Sequence, residues 1–372
     1  MHKVFFRKAA YDYETLRPIV FELIDSVNSG TIKNNSRVII KPNLLSPAPP
    51  KSAMLTHPMI VRASAEYVLQ KGAVPIISDS PAVGSFDKIM QVSGIKDALK
   101  GLDVVCKEFK TSKTFDVGEP FRNIEISEDA LDADVIINLP KLKTHVQMLM
   151  TLGVKNLYGC VVGLRKPEWH FRTGVNREMF AQLIVKIFKA LKPQINILDG
   201  ILAMEGQGPG KRGTPRELGI IAASDNAAAL DIAVCRMLNI DPDLMLTNRF
   251  AQEMGMVDGE VLMEGYVPGV NDFKLPDMIP LVFGPKFLHG FMRGHFVQRP
   301  VIDDNACKGC VECLKYCPAG AISDGKKKLK FDYEKCIRCY CCIEVCPHAA
   351  ISTGETFLGK GLRKVLKNRL LR

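Results

Sequence analysis

The chain has 372 residues, 47% of them hydrophobic, which is enough apolar material for two or three ordinary domains. No run of about 18 apolar residues occurs and the first residues hold no export signal, so no membrane span and a cytoplasmic location are expected. The net charge of +10 is uneven, with six basic residues and no acid in residues 357–372, and a patch that narrow argues against nucleic-acid binding.

From the N-terminus, strands and helices alternate. Residues 36–40 read as a strand, 58–71 as a helix ending at Gly72, and 74–78 and 134–138 as further strands. Residues 176–192 form an amphipathic helix with Met179, Phe180, Leu183, Ile187 and Leu191 on one stripe, stopped by Pro193. Strands follow at 195–198 and 218–222, and a helix at 227–238. This alternation predicts an α/β domain over residues 1–285 with a largely parallel sheet.

Polar residues gather just after the strands: Lys41 and Asn43, then Asp79, then Lys141, Lys143 and His145, then Asp199. In open parallel sheets the ligand crevice lies beyond the carboxyl ends of the strands. With Lys155 and Asn156, these residues are expected to converge on a cleft for a polar, anionic ligand. Lys141, Lys143 and His145 are the candidate catalytic residues, able to hold charge or supply protons. Lys41, Asn43, Asp79, Lys155, Asn156 and Asp199 are the candidates for binding and orientation. The glycine-rich residues 206–213, with Lys211 and Arg212, read as a turn or lid, since neither a P-loop nor a dinucleotide fingerprint is present.

Residues 286–300 carry Phe287, Phe291, Met292 and Phe296 between glycines and prolines. Such an apolar linker predicts a docked second domain, with His289 and His295 as packing residues. Nine of the 12 cysteines then fall between Cys307 and Cys346, in two runs of the form C-x₂-C-x₂-C-x₃-C-P. Three closely spaced thiolates wrap one cubane, and the fourth reaches the other cluster. The spacing therefore assigns Cys307, Cys310, Cys313 and Cys346 to one [4Fe–4S] cluster and Cys336, Cys339, Cys342 and Cys317 to a second. Cys341 is left over. The runs repeat with a period of 29 residues, giving a small α+β domain over residues 301–353. Residues 354–372 read as a basic amphipathic tail that packs on the protein, meets an acidic redox partner, or touches a membrane surface.

The C-terminal runs resemble the bacterial two-cluster ferredoxin. The N-terminal segments Lys41-Pro42-Asn43, Thr56-His57-Pro58, Asp79-Ser80-Pro81, Asn138 to His145, and Leu152 to Gly159 resemble the iron–sulfur proteins built on domain of unknown function 362. The later Leu198-Asp199-Gly200 and Ala227-Ala228-Ala229-Leu230-Asp231 fit the same family. The resemblance implies a shared fold and the fused two-cluster architecture, and it carries no agreed reaction. Two functions are therefore expected: an iron–sulfur oxidoreductase passing electrons to a ligand in the cleft, or a carrier whose N-terminal domain binds a partner enzyme. A redox sensor acting through Cys341 is a third.

Overall fold

The computed structural model describes residues 1–28, 30–163, 165–173, 176–277, 295, 297–325 and 328–356. The expected packing of Phe287, His289, Phe291, Met292 and Phe296, and the expected tail helix beyond residue 356, fall outside these residues.

Among the described residues, twelve strands occur before residue 266: β1 (His2–Lys8), β2 (Arg37–Pro42), β3 (Val74–Asp79), β4 (Val105–Glu108), β5 (Ser112–Asp116), β6 (Asn123–Ser127), β7 (Val135–Leu139), β8 (Lys141–His145), β9 (Leu149–Thr151), β10 (Ile195–Gly206), β11 (Gly213–Ser224) and β12 (Val261–Gly265). Ten of them form one sheet in the order β12-β1-β11-β10-β7-β2-β3-β4, with β8 paired to β10 and β9 to β8. The neighbours from β10 to β4 are parallel, whereas β1–β11, β10–β11 and β8–β9 are antiparallel. The domain is α/β with a mostly parallel mixed sheet.

The central strands are continuous apolar runs because helices cover both faces. Alternate residues of one strand feed opposite cores. Val38 and Ile40 pack with Leu16, Val20, Ile60 and Phe86, and Ile39 packs with Phe180, Leu183 and Leu230. The helices start where side chains satisfy their first free amides. Asp12 caps Tyr13–Val27, Asn176 caps Arg177–Leu191, and Asn226 caps Ala227–Met237.

The structure differs from the sequence expectation in two places that shape the site. Lys141 to His145 form a buried strand and not a loop. Their polar residues hide the strand pattern because polar partners, not apolar ones, bury them. β10 and β11 also run for 12 residues each, well beyond the expected short strands, as one long hairpin.

Residues 206–213 form the tip of that hairpin. Gly208 lies where a Cβ would come within 2.3 Å of the Thr144 carbonyl oxygen, so a side chain has no room there. The tip grips the C-terminal domain: Lys211 Nζ donates to the Pro347 carbonyl at 2.5 Å, and Arg212 Nη1 to that of Ala349 at 3.4 Å. Val83 and Val146 pack with Cys313, Ile322, Tyr340, Ile343 and Val345 across the same junction.

The C-terminal domain consists of β13 (Arg299–Ile302) paired with β16 (Ile351–Gly354), β14 (Ile322–Gly325) paired with β15 (Lys328–Phe331), and the short helices Glu312–Lys315 and Cys341–Val345. Its 29-residue repeat is visible in the backbone. Left-handed residues recur at Gly309 and Arg338, at Val311 and Tyr340, and at Gly320 and Ala349. The sulfurs recur too: Ala321 N donates to Cys317 Sγ at 3.2 Å and Ala350 N to Cys346 Sγ at 3.3 Å.

Candidate functional site

The carboxyl ends of β2, β3 and β7 lie side by side, and β8 continues from β7 beyond Pro140. Lys41 therefore meets Asp79 across adjacent parallel strands, Nζ to Oδ1 at 2.9 Å, with both side chains buried. Asp79 also accepts from Leu44 N at 3.0 Å and Ser80 N at 2.9 Å. A row of amides runs beside this pair. Asn43 Nδ2 donates to Asn156 Oδ1 (2.8 Å), Asn156 Nδ2 to Asn138 Oδ1 (2.8 Å), and Asn138 Nδ2 to Asn196 Oδ1 (2.9 Å). A buried amide left unpaired is costly, so this chain locks the ends of β2, β7 and β10 together.

The period of two along β8 puts Lys141, Lys143 and His145 on one face, yet their environments differ. Lys141 Nζ contacts Asp199 Oδ2 at 2.8 Å and donates to the Tyr11 hydroxyl at 2.9 Å. Tyr11 in turn donates to Asp199 Oδ1 at 2.6 Å, and its ring stacks on His57 at 3.6 Å. Burial, with the Asp199 charge, keeps the Tyr11 phenol protonated far above its usual range. Burial lowers the Lys141 ammonium, against the opposing pull of Asp199.

Lys143 Nζ donates to Asn43 Oδ1 and the Met54 carbonyl, both at 2.7 Å. Its partners are neutral, and burial followed by the nearby Lys155 charge pushes it down to about 7. His145 Nδ1 accepts from the backbone amides of Gln147 (3.2 Å) and Met148 (3.4 Å). That assigns its proton to Nε2, which faces Glu344 Oε1 at 3.1 Å, a polar contact that falls short of a full hydrogen bond. Burial would raise the Glu344 carboxyl, but His145, Lys155 and His170 outweigh it and hold it down to about 2.

These side chains open onto a cavity of about 300 Å³ between the two domains. Lys41, Asn43, Asp79, Lys143, His145, Lys155 and Asn156 line it, whereas Lys141 and Asp199 do not. The expected cleft is thus divided: Lys141, Asp199, Tyr11 and His57 form a separate knot behind it. Lys166, His170, Thr151, Glu108, Cys341 and Glu344 also line the cavity. Glu108 closes β4 beside Asp79 and Thr151 closes β9, two strands absent from the sequence expectation, whereas the strand-end pattern could not find the other four. Lys166 and His170 stand on the helix Arg165–Thr173, and Cys341 and Glu344 come from the C-terminal domain. Lys166 Nζ donates to the Ser80 carbonyl. Lys155 and Asn156 ride on the helix Gly153–Asn156, whose first amides, Gly153 N and Val154 N, donate to Asp231 at 2.7 and 3.1 Å. The Asp231 motif therefore positions Lys155.

Burial holds three imidazoles neutral, the half-buried His57 and the buried His145 at about 4 and the buried His170 at about 3. Each folded value lies below the unfolded value of about 6.5. Between the two, the unfolded chain binds more protons, so the stability is full above pH 6.5 and is lost as pH falls toward 4. We expect the urea midpoint, followed through the single buried Trp169, to drop steeply from pH 7 to pH 5. His170→Gln should remove one of the three contributions and flatten that drop. An unchanged slope would contradict the neutral assignment.

In the C-terminal domain the cysteines fall into two groups. Cys307, Cys310, Cys313 and Cys346 line one hollow, and Cys317, Cys336, Cys339 and Cys342 line another. This division fits cubane clusters with an exchanged fourth thiolate. Among the described residues, no three His, Cys, Asp or Glu side chains are grouped to hold a single metal ion. A cubane asks for a wider spacing, since each thiolate binds a different iron.

A lysine-lined α/β cavity closed by a domain built for 4Fe–4S clusters defines an iron–sulfur protein whose chemistry is electron transfer. The chain belongs to the family of the domain of unknown function DUF362, whose model matches residues 38–236, and the 4Fe-4S dicluster domain matches residues 299–347. It is similar to a thylakoid-associated protein of Synechocystis sp., 38% identical over 309 residues that span 79% of this chain and 95% of that one. Among solved structures it is similar to the lactate racemase apoprotein from Thermoanaerobacterium thermosaccharolyticum, at 13% identity and a TM-score of 0.35. That likeness covers 54% of this chain and 50% of the racemase. No helix among the described residues is long and apolar enough to cross a membrane.

Proposed function

We propose that this chain is an oxidoreductase in which two [4Fe–4S] clusters exchange electrons with an anionic ligand in the interdomain cavity. The observation that carries this reading is a shared helix. Cys341–Val345 bears Cys342, a proposed cluster ligand, and presents Cys341 and Glu344 to the cavity. A [4Fe–4S] cluster supplies one electron at a time. Cys307, Cys310, Cys313 and Cys346 would hold one cluster, and Cys336, Cys339, Cys342 and Cys317 the other. Lys143, Lys155 and Lys166 would hold the ligand's charge. His145 keeps its Nε2 proton toward Glu344 and so ties the cavity wall to the cluster-bearing helix.

Two measurements on anaerobically purified protein test this. Iron analysis should give about eight irons per chain, and either Cys346→Ala or Cys317→Ala should remove about half, each altering a different paramagnetic signal. Mass spectrometry of the extract should find a small anion that is lost in Lys155→Gln. A second chain that copurifies and reoxidises the clusters, with the cavity empty, would replace this reading with that of a carrier delivering electrons to a partner enzyme.

A further inference from the structure

The charges around the cavity are not equally free. Asp79 is neutralised by Lys41 and saturated by two backbone amides. Lys143 and Lys166 have neutral oxygen partners. Lys155 differs from all of these. Among the described residues no hydrogen bond or ion pair holds its ammonium, although the side chain is largely buried; burial lowers its affinity for a proton, and the Glu344 carboxylate opposes that without touching it. Glu344 balances part of its charge from a distance, but a buried ammonium with no acceptor bonded to it is costly, so its retention points to an occupant that accepts its hydrogen bonds.

A second, independent feature lies in the same cavity. The Thr151 hydroxyl is buried, with 4% of the residue exposed, and has no hydrogen-bond partner among the described residues. His170 Nδ1 is likewise buried and unpartnered. Buried polar atoms in native proteins are nearly always paired, so these two point to a ligand's polar atoms as their partners. An acceptor-only group with several lone pairs satisfies an ammonium and a hydroxyl together, and a carboxylate or related oxyanion is such a group. Cys341 lines the same cavity, and its neighbours Cys339 and Cys342 line the adjacent cysteine hollow. A volume of about 300 Å³ is at the small end for ligand sites.

Resting on the cavity reading above, we propose that the ligand is a small organic acid whose oxyanion sits on Lys155 and Thr151 beside Cys341. The acid end is thereby fixed, and the rest of the molecule extends toward Lys143, Lys166 and His170. Lys41 and Asp79 shape the wall without contributing free charge.

The test uses the full-length, cluster-loaded protein in its oxidised form. Thermal unfolding and calorimetric titration are run with sulfate, acetate and succinate, against acetamide, succinamide and chloride at matched ionic strength. The oxyanions should raise the midpoint in a concentration-dependent way, and the amides and chloride should not. Lys155→Gln should weaken oxyanion binding at least tenfold with iron content unchanged, and Thr151→Val should weaken it less. Saturating oxyanion should raise the midpoint of the wild type more than that of Lys155→Gln. Absence of oxyanion binding, equal binding of acids and amides, or full binding by Lys155→Gln would each overturn the proposal. Electron exchange plays no part in this titration. An acid that binds while leaving cluster reduction unaltered would remove the redox reading and keep this one.

Discussion

Asp199→Ala should cost about 3–5 kcal/mol of stability, the usual range for removing one partner of a fully buried ion pair. Asp199 accepts from Lys141 Nζ (2.8 Å), the Tyr11 hydroxyl (2.6 Å) and His57 N (2.9 Å). Truncation leaves the Lys141 ammonium without a counter-charge and two donors without an acceptor. Joint replacement by Lys141→Met and Asp199→Leu should recover much of the loss, since no uncompensated charge then remains. Urea unfolding followed through Trp169, in the same domain, reports both. A loss below about 1 kcal/mol for the single variant would mean that solvent or rearrangement reaches the pair. Because this knot does not line the cavity, oxyanion affinity in the folded protein should change little.

Gly159→Ala should be nearly as damaging, and for a steric reason. A Cβ on Gly159 would stand 2.3 Å from Asp79 Oδ1 and 2.5 Å from Lys41 Nζ. Neither group can withdraw. Asp79 is tied to Lys41 and to the amides of Leu44 and Ser80, and both side chains are buried. The methyl must separate the ion pair or displace the segment, at about 2–4 kcal/mol. The same movement distorts the cavity wall, so oxyanion binding should weaken as well. Gly269→Ala is the matched control, because no atom of the described residues lies within 4 Å of its Cβ position. Equal midpoints for the two variants would count against this account.

Much of the α/β framework was legible because buried parallel strands are continuous apolar runs. Val38-Ile39-Ile40, Ile76-Ile77 and Val135-Ile136-Ile137 announce themselves in this way. The strand ends pointed to a common region because parallel strands deliver their carboxyl ends to the same edge. What stayed hidden was partnership. Lys141 and Lys143 are two residues apart on one strand, and the sequence holds no sign that Asp199 claims the first and Asn43 the second. β8 was missed because its buried side chains are polar. Cys341 and Glu344 lie some 200 residues from His145 along the chain and reach the cavity through domain docking. In the cysteine runs the repeat was legible, since chain spacing alone constrains which thiolates can share a cube.

The 29-residue repeat has one further consequence. Glu312 and Lys315 occupy the positions that Cys341 and Glu344 hold in the second half. The first pair forms a salt bridge of 3.0 Å on the surface, while the second pair is built into the cavity. Two copies of one unit have thus taken opposite orientations to the world: one faces outward, and the other has lost its outward face to its own chain. A visiting redox protein would meet the relay at the outward half, so under the proposed function burial separates the docking terminal from the one that serves the cavity.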